Sequence, residues 1–367
     1  MPNAISFFTG AGGLDMGIRA AGFDIKLCVE IEPTYCETLR LNHPDLNVVQ
    51  GDIMEYDKER VFLESGINEN EDIYLIIGGS PCQSFSTAGK RQAFSDPRGQ
   101  AMIKFAKLVS EIRPKMFLLE NVRGLLSAAL KHRPLNKRGE DNPPLTEEEK
   151  PGSALAYLLN HFEGYDVKVK LLNAADYGVP QKRERVFIVG VKKELNVNYE
   201  FPAPTHSENG EDGKKPWVTV GEVFNKLDVK EHHYVTYSEE RLKYMKLIPK
   251  GGGNWRDLPP DIVEKAMGGA YKSGGGKVGY FRRIHIDRPS PTLLTSPHQK
   301  STNLGHPFED RPLSIEEYLA IQEFPKDYIV AGSLTQQYVQ IGNAVPVRLA
   351  KILGDSIINC IYQKVRT

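Results

Sequence analysis

The sequence has few of the residues that staple a fold from outside. Only four of its 367 residues are cysteine, at Cys28, Cys36, Cys82 and Cys360. None forms a Cys-x-x-Cys pair or joins histidines at zinc-ligand spacing, which excludes a structural zinc and a disulfide framework. Reduced thiols in a cytosolic compartment are expected. Net charge is also missing: Lys+Arg and Asp+Glu are both 47. A protein that coats nucleic acid indiscriminately is thereby disfavoured, while a local basic cleft stays possible. No stretch approaches the ~20 apolar residues of a membrane helix. The start, MPNAISFFTGAGG, lacks the basic region and long apolar core of a signal peptide. No internal repeat is present. What remains is 40% hydrophobic, 26% charged and 9% aromatic, which suits one large globular domain or two modest ones.

The first half alternates short apolar runs with helical spacing. AISFFTG (4–10), IKLCVEI (25–31), LNVVQGD (46–52), YLIIGG (74–79), KMFLLENV (115–122) and RVFIVGV (185–191) read as strands. Between them LDMGIRAAG, PTYCETLRLNH and GQAMIKFAKLVSEIRP carry apolar residues at helical intervals. Apolar strands joined by helices imply an α/β fold, a doubly wound and mostly parallel sheet with helices on both faces. Residues 131–153 are polar and rich in proline and charge, an exposed insertion ahead of the helix ALAYLLNHF. Beyond about residue 193 the alternation fades. Glycine-rich stretches, KGGGNW and SGGGK, then lie among scattered aromatics, lysines and arginines, which marks a smaller, loop-rich domain over 193–313. Helical pattern returns at SIEEYLAIQEFP and closes the chain, so 314–367 is grouped with 1–192.

FFTGAGGLDMG puts Gly10, Gly12 and Gly13 directly after the first strand, where a tight turn lets a ligand approach the backbone at a helix N-terminus. Such a turn fits a dinucleotide, S-adenosylmethionine (AdoMet) or close packing alone. Glu30 ends the second strand and Asp52 the third. Carboxylates there can accept from ribose hydroxyls and an adenine amine, and they suit a neutral or cationic nucleoside better than a pyrophosphate. The plain alternative is that each caps a following helix.

Cys82 follows the apolar run LIIGGSP at what becomes the ligand edge of such a sheet. Cys28, Cys36 and Cys360 lie within apolar segments and read as small buried hydrophobes. A thiol of ordinary pKa near ~8.5 is only a few per cent thiolate at neutral pH, so a nucleophilic role needs help. Glu120 in FLLENV and Arg183 and Arg185 in QKRERVF stand at neighbouring strand edges. An acid and a guanidinium beside a thiol suit activation of an electron-poor ring, the acid protonating a ring nitrogen and the arginine holding the opposite oxygen. A surface Glu–Arg pair is the plain alternative.

GGSPCQSFS, LLENV, QKRERVF, RPSPT (288–292) and IGNAVP (341–346) resemble, in order and spacing, the signature motifs of the DNA cytosine-5 methyltransferase family. SFFTGAGG, VEIE and GDI resemble its first three motifs, so the likeness runs from residue 4 to about 350. The resemblance implies an AdoMet-dependent, Rossmann-like catalytic domain and a target-recognition domain. It implies that Cys82 attacks carbon 6 of a flipped-out cytosine, that Glu120 bonds ring N3 and the exocyclic amine, and that Arg185 contacts the base carbonyl with Arg183 in support. Phe8, Thr9, Gly10, Gly12, Glu30, Ile31, Asp52, Ile53, Pro81, Asn343 and Val345 are the implied AdoMet contacts. With Asn343 among them, the last helix is expected to fold back onto the first domain.

SFSTAGKRQAFSDPRGQ (84–100) looks like the family's loop that closes over DNA, offering Ser84, Ser86, Lys90, Arg91 and Arg98. Tyr271, Lys272, Lys277 and Arg282 are the further DNA candidates, on a glycine-rich frame. Two departures stand out. Ser6 replaces an acid near the methionine end of AdoMet, and Ile31 replaces an aromatic that stacks on adenine. The resemblance thus implies methyl transfer from AdoMet to cytosine in a double-stranded DNA site, without a metal. The implied actor is a cytoplasmic bacterial protein, monomeric, nucleoid-associated when on DNA, with a cognate restriction endonuclease acting on the same site. RNA as substrate, or a catalytically silent DNA-binding relative, are the competing readings. A nicotinamide dehydrogenase leaves the Pro-Cys step unexplained.

Overall fold

Each of the six apolar runs becomes a strand. In chain order the elements are β1 (Asn3–Phe7), α1 (Gly13–Ala20), β2 (Asp24–Glu30), α2 (Pro33–Asn42), β3 (Val48–Gln50), α3 (Lys58–Ser65), β4 (Leu75–Gly79), α4 (Pro97–Ile112) and β5 (Met116–Val122). They continue with α5 (Ser153–Leu159), β6 (Tyr165–Asn173), the short β7 (Gln181–Lys182) and β8 (Glu184–Lys192). This computed structural model describes residues 1–81, 94, 96–134, 137–139, 142–274 and 276–363.

Seven strands form one sheet in the order β3-β2-β1-β4-β5-β8-β6. The pairings from β3 through β5 are parallel, and β8 runs antiparallel to β5. The order reverses direction between β1 and β4, the switch point at which doubly wound sheets open a ligand crevice at their carboxyl edge. Ile5, Phe7, Leu27, Val29, Ile76, Phe105, Phe117, Leu119, Val186 and Ile188 bury the middle of this sheet. Each such side chain contributes roughly 1.5–3 kcal/mol.

The chain forms two units. One comprises Met1–Leu172, Glu184–Ala203 and Ala350–Thr367; the other comprises Asn173–Arg183 and Pro204–Leu349. This division differs from the expected functional one, since 173–183 and 314–349 group with the second unit and 193–203 with the first.

The second unit adds β9 (His206–Ser207), β10 (Lys215–Pro216), α6 (Val220–Phe224), α7 (Glu239–Met245), α8 (Pro260–Met267), β11 (Ser290–Pro291), α9 (Ile315–Ile321) and α10 (Leu334–Asn343). Its small core gathers Met245, Ile248, Leu258, Val263, Ala266, Met267 and Phe281. Arg283, fully buried, ties its loops together by donating to the carbonyls of Met245, Ile248, His306 and Glu309 and to the Asp310 carboxylate.

The last helix, α11 (Val347–Gln363), returns to the first unit over its length from Ala350. It crosses α1 closely. A Cβ on Gly17 would lie 2.3 Å from the Ala350 Cβ, and one on Gly354 would lie 2.6 Å from the Ala21 Cβ. The expected return of the C-terminus is therefore present, and two glycines make room for it.

Candidate active site

The carboxyl ends of β1, β2, β3, β4 and β5 share one edge of the sheet, and the candidate residues follow those ends. After β1 the backbone turns through positive φ at Phe8 (58°), Gly10 (57°) and Gly12 (78°). Glycine adopts that conformation without the strain a side chain brings. The turn is closed by Glu30, whose Oε2 accepts from the Gly10 amide at 2.7 Å while Oε1 accepts from the Glu32 amide at 3.0 Å. Burial raises the Glu30 pKa, and these amide donors work against the rise.

Thr9 is buried, its hydroxyl 3.5 Å from the Val29 carbonyl and 3.3 Å from the Ser6 hydroxyl. Asp15, in the first turn of α1, is buried beside them, and the Cys28 thiol donates to its Oδ1 at 3.7 Å. Burial pushes the Asp15 carboxyl up to about 6. Asp52 accepts from the Met54 amide at 2.9 Å, so the capping role is real, and its side chain is only half-buried. Ile53 is buried, whereas Ile31 is 54% exposed at the end of β2. Two carboxylates and an open apolar side chain around a turn without lysine or arginine fit a cationic nucleoside cofactor, and they fit a pyrophosphate poorly.

At the end of β4, a Cβ on Gly78 would lie 2.7 Å from the Phe105 ring, so only glycine fits there. Pro81 follows, half-buried. Cys82, Ser84, Ser86, Lys90 and Arg91 lie outside the described residues. On β5, Glu120 is 6% exposed and sits opposite Gly79 in the parallel ladder. The Arg185 Nε lies 2.9 Å from its Oε1. The antiparallel register pairs Val122 with Arg185 and Glu120 with Phe187, so the ion pair is a diagonal one on a single sheet face. Asn121, fully buried, donates through Nδ2 to the Ser80 hydroxyl at 2.9 Å.

Arg183 has a different set of partners. It is fully buried and donates to the carbonyls of Gly342 at 2.9 Å and Asn343 at 3.1 Å, in the IGNAVP segment. Gln181 and Gln322 reinforce the same segment: Gln181 donates to the Gln322 amide oxygen at 3.0 Å. Gln322 in turn donates to Ile341 at 2.7 Å and Ala344 at 3.1 Å. Asn343 itself is exposed and Val345 buried. Sequence reasoning passed over Gln322, Asn121 and Asp15, because their partners lie far away in the chain or on another strand.

Of the DNA candidates, Arg98 is exposed in the first turn of α4. Tyr271 stands edge-on to Trp255 with ring centres 6.3 Å apart, and the Lys277 ammonium lies 6.0 Å from the same indole. Lys272 pairs with Glu264 at 2.8 Å. Arg256, 5.1 Å from the Trp255 ring, joins this exposed patch, and no motif in the sequence pointed to it. Arg282 turns inward: its Nε donates to the Asn303 carbonyl at 3.2 Å, and burial lowers its pKa. Among the described residues no group of acids, histidines and cysteines could hold a metal ion, and no helix is long and apolar enough to cross a membrane.

The chain matches the family model for C-5 cytosine-specific DNA methylase over residues 3–359. It is 38% identical to the Type II methyltransferase M.Sau96I of Staphylococcus aureus, across 98% of this chain and 76% of that one. It is 37% identical to M.Eco47II of Escherichia coli, across 97% and 78%. Among solved structures, a putative DNA modification methyltransferase encoded in an Escherichia coli prophage superposes with a TM-score of 0.67. It is 24% identical and covers 98% of this chain and 99% of its own. A Spodoptera frugiperda DNMT2 variant superposes with a TM-score of 0.58 at 17% identity, covering 98% and 100%. These structural likenesses speak for the fold.

Proposed function

Because the chain belongs to the C-5 cytosine-specific DNA methylase family, and is a cytosine-5 DNA methyltransferase of restriction–modification type, we propose that it works through a covalent Cys82 adduct on an extruded base. The observation that supports this most is the Glu120–Arg185 pair, 2.9 Å apart across β5 and β8, with Glu120 on the strand beside β4, the strand that precedes Cys82 in the chain. A cytosine in a duplex is shielded by stacking, so it must be swung out, at a cost of a few kcal/mol. Glu120 then holds N3 and the exocyclic amine, and Arg185 holds the base carbonyl. Protonation or hydrogen bonding at N3 draws electrons from the ring, and the Cys82 thiolate bonds to carbon 6. Carbon 5, now part of an enamine, takes the methyl group and loses its proton. The bond to Cys82 then breaks and aromaticity returns.

AdoMet supplies an electrophilic methyl on its sulfonium. Phe8, Thr9, Gly10, Gly12, Glu30, Ile31, Asp52, Ile53 and Pro81 would hold it at the carboxyl edge of the first unit; Asn343 and Val345 are the further cofactor contacts that the family's IGNAVP-type motif implies. In this reading 1–192 and 314–367 are the catalytic part and 193–313 reads the duplex. Ser84, Ser86, Lys90, Arg91, Arg98, Tyr271, Lys272 and Lys277 supply phosphate and base contacts, and Arg282, turned inward onto the Asn303 carbonyl, braces the loop behind them. The protein acts as a monomer on cytoplasmic DNA, and an endonuclease of the same specificity completes the system.

The test uses duplexes carrying 5-fluorocytosine, whose fluorine blocks the final elimination. With AdoMet, the wild-type protein forms an adduct stable to denaturation, and Cys82→Ala forms none. An adduct that persists in Cys82→Ala overturns the assignment. Equal methyl labelling of RNA and DNA overturns the substrate.

A further inference from the structure

We propose that Asn121 and Ser80 form a side-chain latch that sets the strand tip leading into Cys82 against Glu120, which makes Asn121 a positioning residue for the methyl transfer. The inference rests on the function proposed above. Its starting point is the place where the backbone ladder stops. The β4–β5 pairing runs from Leu75↔Met116 to Gly79↔Glu120 and goes no further. Ser80 and Asn121 are the next residue on each strand, and they are joined through their side chains.

The Asn121 amide is held at both ends. Its Oδ1 accepts from the Val122 amide at 2.9 Å, which directs Nδ2 towards Ser80. There Nδ2 donates to the Ser80 hydroxyl at 2.9 Å and approaches the Ser80 carbonyl at 3.4 Å. Both residues are buried, Asn121 at 0% and Ser80 at 3% exposure, so water does not compete for these groups. Side chains alternate along a strand, so Asn121 faces away from Glu120. The two flanks of the β5 tip thus carry separate tasks: the latch on one and the Glu120–Arg185 pair on the other.

The residues around the latch explain why it is needed. Gly78 and Gly79 precede Ser80, and glycine leaves a backbone more freedom than any other residue. Pro81 follows, with φ restricted near ~−65° by its ring. The ladder that holds these glycines ends at Gly79, and the Ser80 anchor stands between that end and Pro81. Pro81 is the last residue before the nucleophile in sequence, so a shift at Ser80 acts on a step whose φ is already restricted. An attacking atom misplaced by about 1 Å can lose about 100-fold in rate.

The experiment compares Ser80→Ala, Ser80→Thr, Asn121→Ala and the Ser80→Ala/Asn121→Ala double variant. Three quantities are read: the single-turnover rate of adduct formation on 5-fluorocytosine duplex at saturating AdoMet, the affinity for S-adenosylhomocysteine, and the affinity for DNA. Asn121→Ala is expected to slow the adduct about 30- to 100-fold and Ser80→Ala about 10-fold. Both affinities should stay within about twofold, and Ser80→Thr, which keeps the hydroxyl, should restore the rate. The double variant should be no slower than Asn121→Ala, because one latch is lost only once. An Asn121→Ala rate within about threefold of wild type overturns the latch, as do losses that multiply in the double variant. If the wild-type protein forms no adduct, the underlying function fails and the latch goes with it.

Discussion

Arg185 and Arg183 stand two residues apart in QKRERVF, and the chain passes from one unit to the other between Arg183 and Glu184. Arg185 faces a carboxylate, Glu120, at 2.9 Å. Arg183 faces peptide carbonyls, those of Gly342 and Asn343. The contrast separates two uses of one side chain. A guanidinium beside a carboxylate leaves both charges able to regroup around a substrate that offers a carbonyl and a ring nitrogen. A guanidinium forked onto carbonyls holds backbone in place. Under the proposed function the first arrangement serves chemistry and the second serves architecture.

The largest test of this contrast is Glu120→Gln, which keeps the shape and removes the acid. Loss of proton donation at N3 should lower the rate of adduct formation by about 10³-fold, within the 10²–10⁴ range for general acid catalysis. S-adenosylhomocysteine binding should be unchanged, as titration calorimetry would register. A variant that keeps one tenth of the wild-type rate would mean that Glu120 only holds Arg185 in place.

A smaller effect separates the arginines themselves. Arg185→Ala should lower kcat about 100-fold. It should also cost the fold roughly 3–5 kcal/mol, because it breaks an ion pair whose carboxylate is buried. Arg183→Met removes the donor from the carbonyls of the buried Gly342 and the exposed Asn343, and the buried one costs about 1–3 kcal/mol. It should therefore lower stability in urea and raise the KM for AdoMet through the loosened IGNAVP segment, with kcat within about threefold. If Arg183→Met lost kcat while stability and KM held, the division between chemistry and architecture would fail.

Legibility follows the same line. Apolar runs announce buried strands, so β1 to β5 and β8 were readable, and the return of the last helix was implied by Asn343. β6 was not. Its segment YDVKVKLLN alternates lysine with half-buried valines at the end of the strand order, and an edge strand has no continuous apolar run. Helices α7, α8 and α10 were hidden among glycine-rich and polar segments. Glu120 and Arg185 were readable as motif residues. Nothing local, however, distinguishes an inward Arg183 or Arg283 from an outward neighbour, and the Arg183 partners lie 159 and 160 positions away. The Asn121–Ser80 contact spans 41 positions and depends on where a ladder ends, which no spacing encodes.

The smallest expected effect concerns a carboxylate that lacks the counter-charge Glu120 has. Asp15 is buried beside a thiol and a hydroxyl, and among the described residues it joins no ion pair. Burial raises its value from 3.8 to about 6, so folding favours its protonated form. The sign follows by linkage. An acid raised in the folded state contributes stability that is fully present below its unfolded value of 3.8 and is lost as pH climbs through about 6. Wild-type protein should therefore lose up to about 3 kcal/mol from this group between pH 4 and pH 7. Asp15→Asn should be spared that loss, with kcat on DNA unchanged. Glu30, also raised by burial, titrates with the same sign in both proteins, so the difference between the two urea-stability curves isolates most of the Asp15 contribution. Parallel curves from pH 4 to pH 8 would show that Asp15 stays charged through a partner that burial and geometry do not reveal. The separation between paired and unpaired charges would then need redrawing.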